Sequence, residues 1–232
     1  TSLQIPIDGL LAYYRFDESA GAVAHEDWNG YHATLHNMTN ANHVDGKNGK
    51  ALDFGGVKEE AQHMIIPSFN IGGAFSFASW IKYDKFNNWS RIIDFGNAAN
   101  NHNLIVANVD GGTQIGFEIR IGGNNQSLRQ GNFWAVDQWV HVVATVNAEG
   151  LMKIYKNGEF MAEFAGHAPQ EMKRTGQFVG RSHWANDQFF DGQMDDMLLY
   201  RRDLSAEEIL GLFTGESTVV DTSKPATHTI TY

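Results

Sequence analysis

The sequence contains no cysteine. That absence removes disulfide staples, thiolate metal sites and thiol nucleophiles together. Small secreted eukaryotic domains usually carry cysteines, so the lack points toward a bacterial exported protein. No basic stripe exists either. No basic run exceeds two residues, Lys173-Arg174 among them, and the net charge is −10, so a nucleic-acid partner is not expected. An acidic surface suits a calcium binder or simply a soluble exported chain. No apolar run approaches the ~20 residues of a membrane span, so no membrane insertion is expected. No signal peptide is evident, as expected of a mature or excised segment. Proline is scarce, at 4 residues, and one helical pattern is convincing in the whole chain.

What is abundant is glycine, 24 residues, among short apolar runs in a chain of 232 residues that is 42% hydrophobic. That combination describes one large β domain with tight turns. Strand-length runs occur at Leu10–Phe16, Ala51–Phe54, His63–Ile66, Ala74–Tyr83, Arg91–Phe95 and Asn103–Val109. Ile115–Ile121 (IGFEIRI) alternates strictly, with Glu118 and Arg120 turned away from the apolar set. Trp139–Val146 is apolar nearly throughout, which predicts a central strand covered on both faces. Asn157-Gly158, between Met152–Lys156 and Glu159–Phe164, supplies the two positive-φ residues of a type I′ hairpin. Gln177–Gly180 and Met194–Tyr200 complete the strands.

The helix follows from Ser205-Ala206-Glu207-Glu208, a capping box, with Leu204 and Ile209 placed as a hydrophobic staple. The expected fold class is therefore all-β: a two-sheet antiparallel jelly-roll sandwich with one short C-terminal helix. The domain is expected over 1–215. Residues 216–232, rich in threonine, are expected to be a linker or the start of a neighbouring module.

Several motifs occur in a telling order: Leu11–Glu18 (LAYYRFDE), Gly49-Lys50-Ala51-Leu52-Asp53-Phe54, Phe75–Trp80, Trp139–Val143, Ile154–Gly158, Val179-Gly180-Arg181, Phe190-Asp191-Gly192, Asp195-Asp196, Tyr200 and Leu204–Glu208. Together they resemble the laminin-G-like, concanavalin-A-like lectin/glucanase jelly roll in its common bacterial form, over about residues 9–213. The resemblance implies lectins, adhesin modules, carbohydrate-binding modules and some glycoside hydrolases, and fold does not choose among them.

Catalysis is not expected. Hydrolases of this fold, by the same resemblance, draw two carboxylates from one strand with acids at alternate positions. Ile115–Ile121 carries one outward acid, Glu118, beside Arg120. No zinc-binding histidine spacing and no Gly-x-Ser-x-Gly elbow occur.

The resemblance also implies a calcium ion where the last strand meets the N-terminal strand and its loop. It implies Asp195 as a ligand, with Asp17 and the Asp27-Trp28-Asn29-Gly30 loop (Asp27, Asn29) as oxygen donors. Asp195 is expected to share the buried face of Met197 and Leu199, where a carboxylate needs a cation, a proton or turn amides. Asp196 is expected to point outward. The loop departs from the family's acidic pattern, with His25 where an aspartate is usual and Asp27 two residues on.

Sugars are held by aromatic faces and planar polar side chains on rim loops. The candidates are Trp184, Asn186 and Asp187 in one loop, Trp89 in a second, Asn101 in a third, and Asn124 and Asn125 beside them. Trp134 is a further aromatic candidate, whereas Trp80 and Trp139 read as core. Asn186 and Asp187 are candidates for a second calcium that bridges to ligand.

The expected function is a calcium-dependent lectin module of an exported, cell-surface adhesin. Its expected setting is a monomeric unit of a larger multidomain chain, binding a cell-surface glycan or polysaccharide. A protein-interaction or spacer module is the alternative, and a glycoside hydrolase the next.

Overall fold

The computed structural model describes residues 3–56, 60–216 and 228–230. Two large antiparallel sheets face one another. In the first, the strands run in the order Asn124–Gln130, Ile115–Ile121, Leu104–Asn108, Arg91–Gly96, Gly176–Val179, His63–Ile66, Ala33–His36 and Val23–Ala24. In the second the order is Glu159–Ala165, Leu151–Lys156, Trp139–Val146, Phe75–Lys85, Asp191–Tyr200, Lys50–Gly55 and His43–Asp45, with Leu10–Tyr14 also paired to Asp191–Tyr200. The expected jelly-roll sandwich is what the chain forms.

Alternation decides what each face buries. Ile93, Phe95, Leu104, Val106, Ile115, Phe117 and Ile119 of the first sheet meet Phe54, Phe75, Phe77, Val142, Ala144 and Ile154 of the second in the main core. A second, smaller core lies on the far side of the second sheet. There Tyr13, Ala78, Val143, Tyr155, Leu198 and Tyr200 are covered by Leu204, Ile209 and Leu212. Both faces of Trp139–Val146 are thus covered, which is why that strand reads as a nearly continuous hydrophobic run.

The covering helix is Ala206–Thr214, capped by Ser205 as expected: Ser205 Oγ accepts from the Glu208 amide at 3.2 Å and Glu208 accepts from the Ser205 amide at 2.9 Å. It ends at Gly215, whose φ of 73° suits glycine. Asn157 and Gly158 take φ of 52° and 81°, the I′ hairpin the sequence called for.

Some boundaries differ from expectation. Phe16 turns to a φ of 62° and the first long strand stops at Tyr14. Asn124 and Asn125, expected beside the rim loops, open an edge strand, Asn124–Gln130, paired along its length with Ile115–Ile121. Its polar composition conceals it, because one of its faces meets solvent and loops. His228–Ile230 pairs with Leu3–Ile5, so part of the expected linker is tied to the domain, and 217–227 lie outside the described residues. No helix among the described residues is long and apolar enough to cross a membrane.

Candidate functional site

The helix covers the second sheet, which leaves the outer face of the first for loops. Two rows of residues cross that face. In one, Arg91 pairs with Ala107, Ala107 with Gly116, and Gly116 with Arg129. In the next, Phe178, Asp94, Ile105, Glu118 and Ser127 stand side by side. Residues directly opposite in a ladder share a face, so the first row is two arginines separated by two small residues.

Trp89 lies over that gap. A side chain on Gly116 would come within 3.9 Å of its ring. The guanidinium carbons of Arg91 and Arg129 each lie 5.2 Å from the Trp89 ring centre. The indole Nε1 donates to Asp110 at 2.6 Å. Trp89 also holds a φ of 49°, a left-handed conformation that costs about 1–3 kcal/mol for a bulky residue and clusters at functional sites. Trp184 repeats the pattern, with Arg91 at 5.4 Å and Arg120 at 5.1 Å from its ring centre. Cations stack on indole faces because the ring quadrupole is negative there. The result is an alternating arrangement, Arg129, Trp89, Arg91, Trp184, Arg120, along one sheet face.

Carboxylates hold the arginines. Arg91 donates to Asp187 at 2.7 Å and to the Trp89 carbonyl at 2.9 Å, and its Nε lies 3.8 Å from Asp94. Arg120 and Arg129 converge on Glu118, at 3.1 and 3.5 Å. Asp94 is fully buried; it accepts from the His183 amide at 2.9 Å and from Asn103 at 2.8 Å, with the His183 ring at 3.0 Å. Further along the same face His63 stacks on His36 at 4.8 Å; burial, with help from Arg181 and His36, pushes His63 down to about 4.

Of the seven ligand candidates, Trp89, Trp184 and Asp187 meet at Arg91. Asn125 stands opposite Arg120 in the ladder. Asn186 is exposed next to Asp187, and Asn124 is the exposed first residue of the edge strand. Asn101 sits in the neighbouring loop, where Asn100 rather than Asn101 accepts from Arg120, at 2.9 Å. Trp134 is 3% exposed within the aromatic core and takes no part. Asp187, expected as a donor to a second calcium, accepts from Arg91 at 2.7 Å and from Ser182 at 2.8 Å. Sequence reasoning missed the three arginines. The outward Glu118 and Arg120 of the alternating strand were the available signal, and Gly116 between them and Trp89 was the other.

A separate locus surrounds Asp195. This residue is fully buried and pairs with Trp80 across the ladder, on the face away from the main core. The expected company of Met197 and Leu199 is corrected by a bulge between Asp195 and Leu198, which switches the side-chain alternation. Asp196 is also corrected. It is 3% exposed, not outward; it accepts from the Tyr13 hydroxyl at 2.5 Å and from Asn48 at 2.8 Å.

Asp195 Oδ2 accepts from the Asn48 amide at 2.8 Å, while its Oδ1 is buried with no hydrogen-bond partner among the described residues. Burial and the neighbouring Asp196 push Asp195 up to about 8. Asp17 meets the same loop, accepting from the Lys50 amide at 2.9 Å. Gly46 and Gly49 are required there, because a side chain would strike Asp195 and Asp17 at 2.6 and 2.3 Å.

The other expected donors are organised elsewhere. Asp27 pairs with Arg15 at 2.5 Å, and Asn29 donates to the Leu11 carbonyl at 2.8 Å. Buried Glu26 gathers the amides of Tyr13, Trp28, Asn29 and Tyr31, and so shapes that loop.

Residues 58–210 match the family model described as the concanavalin A-like lectin/glucanases superfamily. No curated protein matches the chain. Among solved structures, domain 4 of AbnA, a GH43 extracellular arabinanase from Geobacillus stearothermophilus in complex with arabinotriose, superposes with a TM-score of 0.68 at 19% identity, covering 88% of this chain and 97% of that one. Trypanosoma rangeli sialidase superposes at 0.64 with 18% identity, over 90% of this chain and 33% of the sialidase. Botulinum neurotoxin type C, whose cell entry depends on interaction with two ganglioside molecules, superposes at 0.65 with 16% identity, over 89% of this chain and 51% of that one. Identities this low establish likeness of fold.

Proposed function

The chain belongs to the concanavalin A-like lectin/glucanase superfamily, and on that premise we propose that it is a non-catalytic carbohydrate-binding module of an exported, cell-surface protein. The observation that carries the reading is the outer face of the first sheet, where Trp89 and Trp184 are held by three arginines. Indole rings fixed beside guanidinium groups offer a sugar both an apolar surface and hydrogen-bond donors. Neighbours of the same fold have been solved with arabinotriose or studied for ganglioside interaction, which supports a glycan or polysaccharide partner.

The same geometry favours binding over catalysis. Asp94 and Glu118 stand two strands apart, about 10 Å by strand spacing. Asp94 is sealed and Glu118 is 2% exposed, each already engaged with neighbouring side chains. Neither is presented to a glycosidic oxygen.

Calcium enters this reading as a brace. The support is one atom, the buried and unpartnered Asp195 Oδ1, since among the described residues no three His, Cys, Asp or Glu are grouped to hold a metal, Asp196 is engaged by Tyr13 and Asn48, and Asp17 by the Lys50 amide. Asp195 and Asp17 would hold it against the 46–50 loop, and it would supply fold stability, not ligand contact. One such module binds one sugar weakly, and repetition along a larger adhesin chain raises avidity.

The test is a glycan array probed in millimolar calcium and again with chelator, with Trp184→Ala as control. Selective binding that W184A loses supports the module. Absence of binding to every glycan sinks it in favour of a protein-interaction role.

A further inference from the structure

The charges on this face are not evenly spread. At one end Arg91 stands between two acids, Asp94 and Asp187. At the other, two guanidiniums, Arg120 and Arg129, share the single carboxylate of Glu118. Among those three residues the cations outnumber the acid by one, in a protein whose net charge is −10; Asp110, which accepts from the Trp89 indole at 2.6 Å, is a further acid on this face.

Exposure sharpens the asymmetry. The Glu118 side chain is 3% exposed, whereas those of Arg120 and Arg129 are 19% and 42% exposed. The acid lies underneath and the cations face outward. Arg120 Nε and Asn125 Oδ1, opposite one another across the ladder, have no hydrogen-bond partner among the described residues. Both atoms are buried, so they lie beneath the cationic end and are not on its surface.

Resting on the carbohydrate reading, we propose that the site selects a saccharide carrying one anionic group, a carboxylate or a sulfate ester, placed between Arg120 and Arg129 while a sugar ring lies against Trp89. Guanidinium forks suit both anions, because two parallel N–H donors match two oxygens. A densely charged polyanion is disfavoured, since the protein as a whole repels it and the excess among Arg120, Arg129 and Glu118 is a single charge.

The experiment pairs neutral oligosaccharides with the same oligosaccharides bearing one uronic acid, one sialic acid or one sulfate ester. Affinities are measured for the wild type and for Arg129→Gln and Arg129→Lys. The expected result is an acidic-over-neutral preference of about tenfold, the scale of one charge-assisted contact. It should shrink at high salt, collapse in R129Q and persist in part in R129K. The carboxylate and sulfate arms show which anion is preferred. Equal or tighter binding of the neutral member overturns the proposal and leaves the carbohydrate reading standing. An acidic preference that survives R129Q overturns the placement. No binding in any arm defeats both readings.

Discussion

Arg91 and Asp187, 96 positions apart, hold each other at 2.7 Å and thereby join the loops that carry Trp89 and Trp184. The arginine is 4% exposed and touches both indoles. Removing one partner of a buried pair costs about 3–5 kcal/mol, because the other charge is stranded. Arg91→Ala should therefore lower the denaturation midpoint clearly. Arg91→Lys keeps the charge but not the fork and stacking. It should leave the fold intact and weaken glycan binding by about tenfold. Urea titration alongside array binding checks both. Unchanged binding in R91K would mean the tryptophans are positioned without it.

Gly116 gives a complementary prediction that leaves every site residue in place. It lies in the small-residue gap under Trp89, and a side chain there meets Val109 at 3.1 Å and the indole at 3.9 Å. Gly116→Ala asks for a slight shift of Val109. Gly116→Leu fills the gap and should lift Trp89 from its contacts with Arg91 and Arg129. The expected signature is a changed tryptophan fluorescence spectrum with glycan binding lost in G116L but not in G116A. Full binding by G116L would place the sugar elsewhere.

These two predictions also mark what the sequence could and could not disclose. Apolar alternation made the sheets legible, because strand faces repeat every second residue. The capping box and Asn157-Gly158 were legible because their chemistry is local. The loop tryptophans stood out because an indole in a polar loop calls for a partner. The arginines did not stand out. Arg91, Arg120 and Arg129 lie on three strands, and only the ladder register brings them to one face. The bulge at Asp195 was hidden for a related reason: one extra residue reverses every side-chain assignment before or after it, and Asp195-Asp196 reads as ordinary alternation.

Acid should destabilise the fold in a way traceable to one histidine. His141 is 2% exposed, packed against Trp80 and Phe213, and its Nδ1 has no hydrogen-bond partner among the described residues. Burial lowers its pKa from 6.5 to about 3. The unfolded chain therefore takes up a proton that the folded one refuses. The stability is full above pH 6.5 and declines as pH falls toward 3, with a slope near 1.4 kcal/mol per pH unit. His63, lowered to about 4, adds in the same direction. Asp195, raised to about 8, acts with opposite sign, stabilising at low pH and losing that contribution as pH rises through 8. The difference between wild type and His141→Gln isolates the histidine. Between pH 7 and pH 5 the wild type should lose more stability than H141Q in urea titrations, and parallel losses would exclude this assignment.

The Asp195 locus predicts a cation response separate from glycan recognition. If calcium takes the unpartnered Oδ1, millimolar calcium should raise the melting temperature of the wild type, and chelator should reverse the rise. Binding adds RT ln(1 + [L]/Kd), so a hundredfold excess over Kd gives about 2.7 kcal/mol. Asp195→Asn keeps the shape, removes the charge next to Asp196 and should abolish the calcium response. It should be no less stable than the wild type in chelator, because an amide avoids the ionisation that burial and Asp196 oppose at this position. Asp27→Asn should retain the response, since Asp27 is paired with Arg15. A calcium shift that persists in D195N but disappears in D27N would move the cation to the 27–30 loop. In D195N, glycan affinity in chelator should match that of the wild type in calcium, because Trp89 and Trp184 stand on the other sheet.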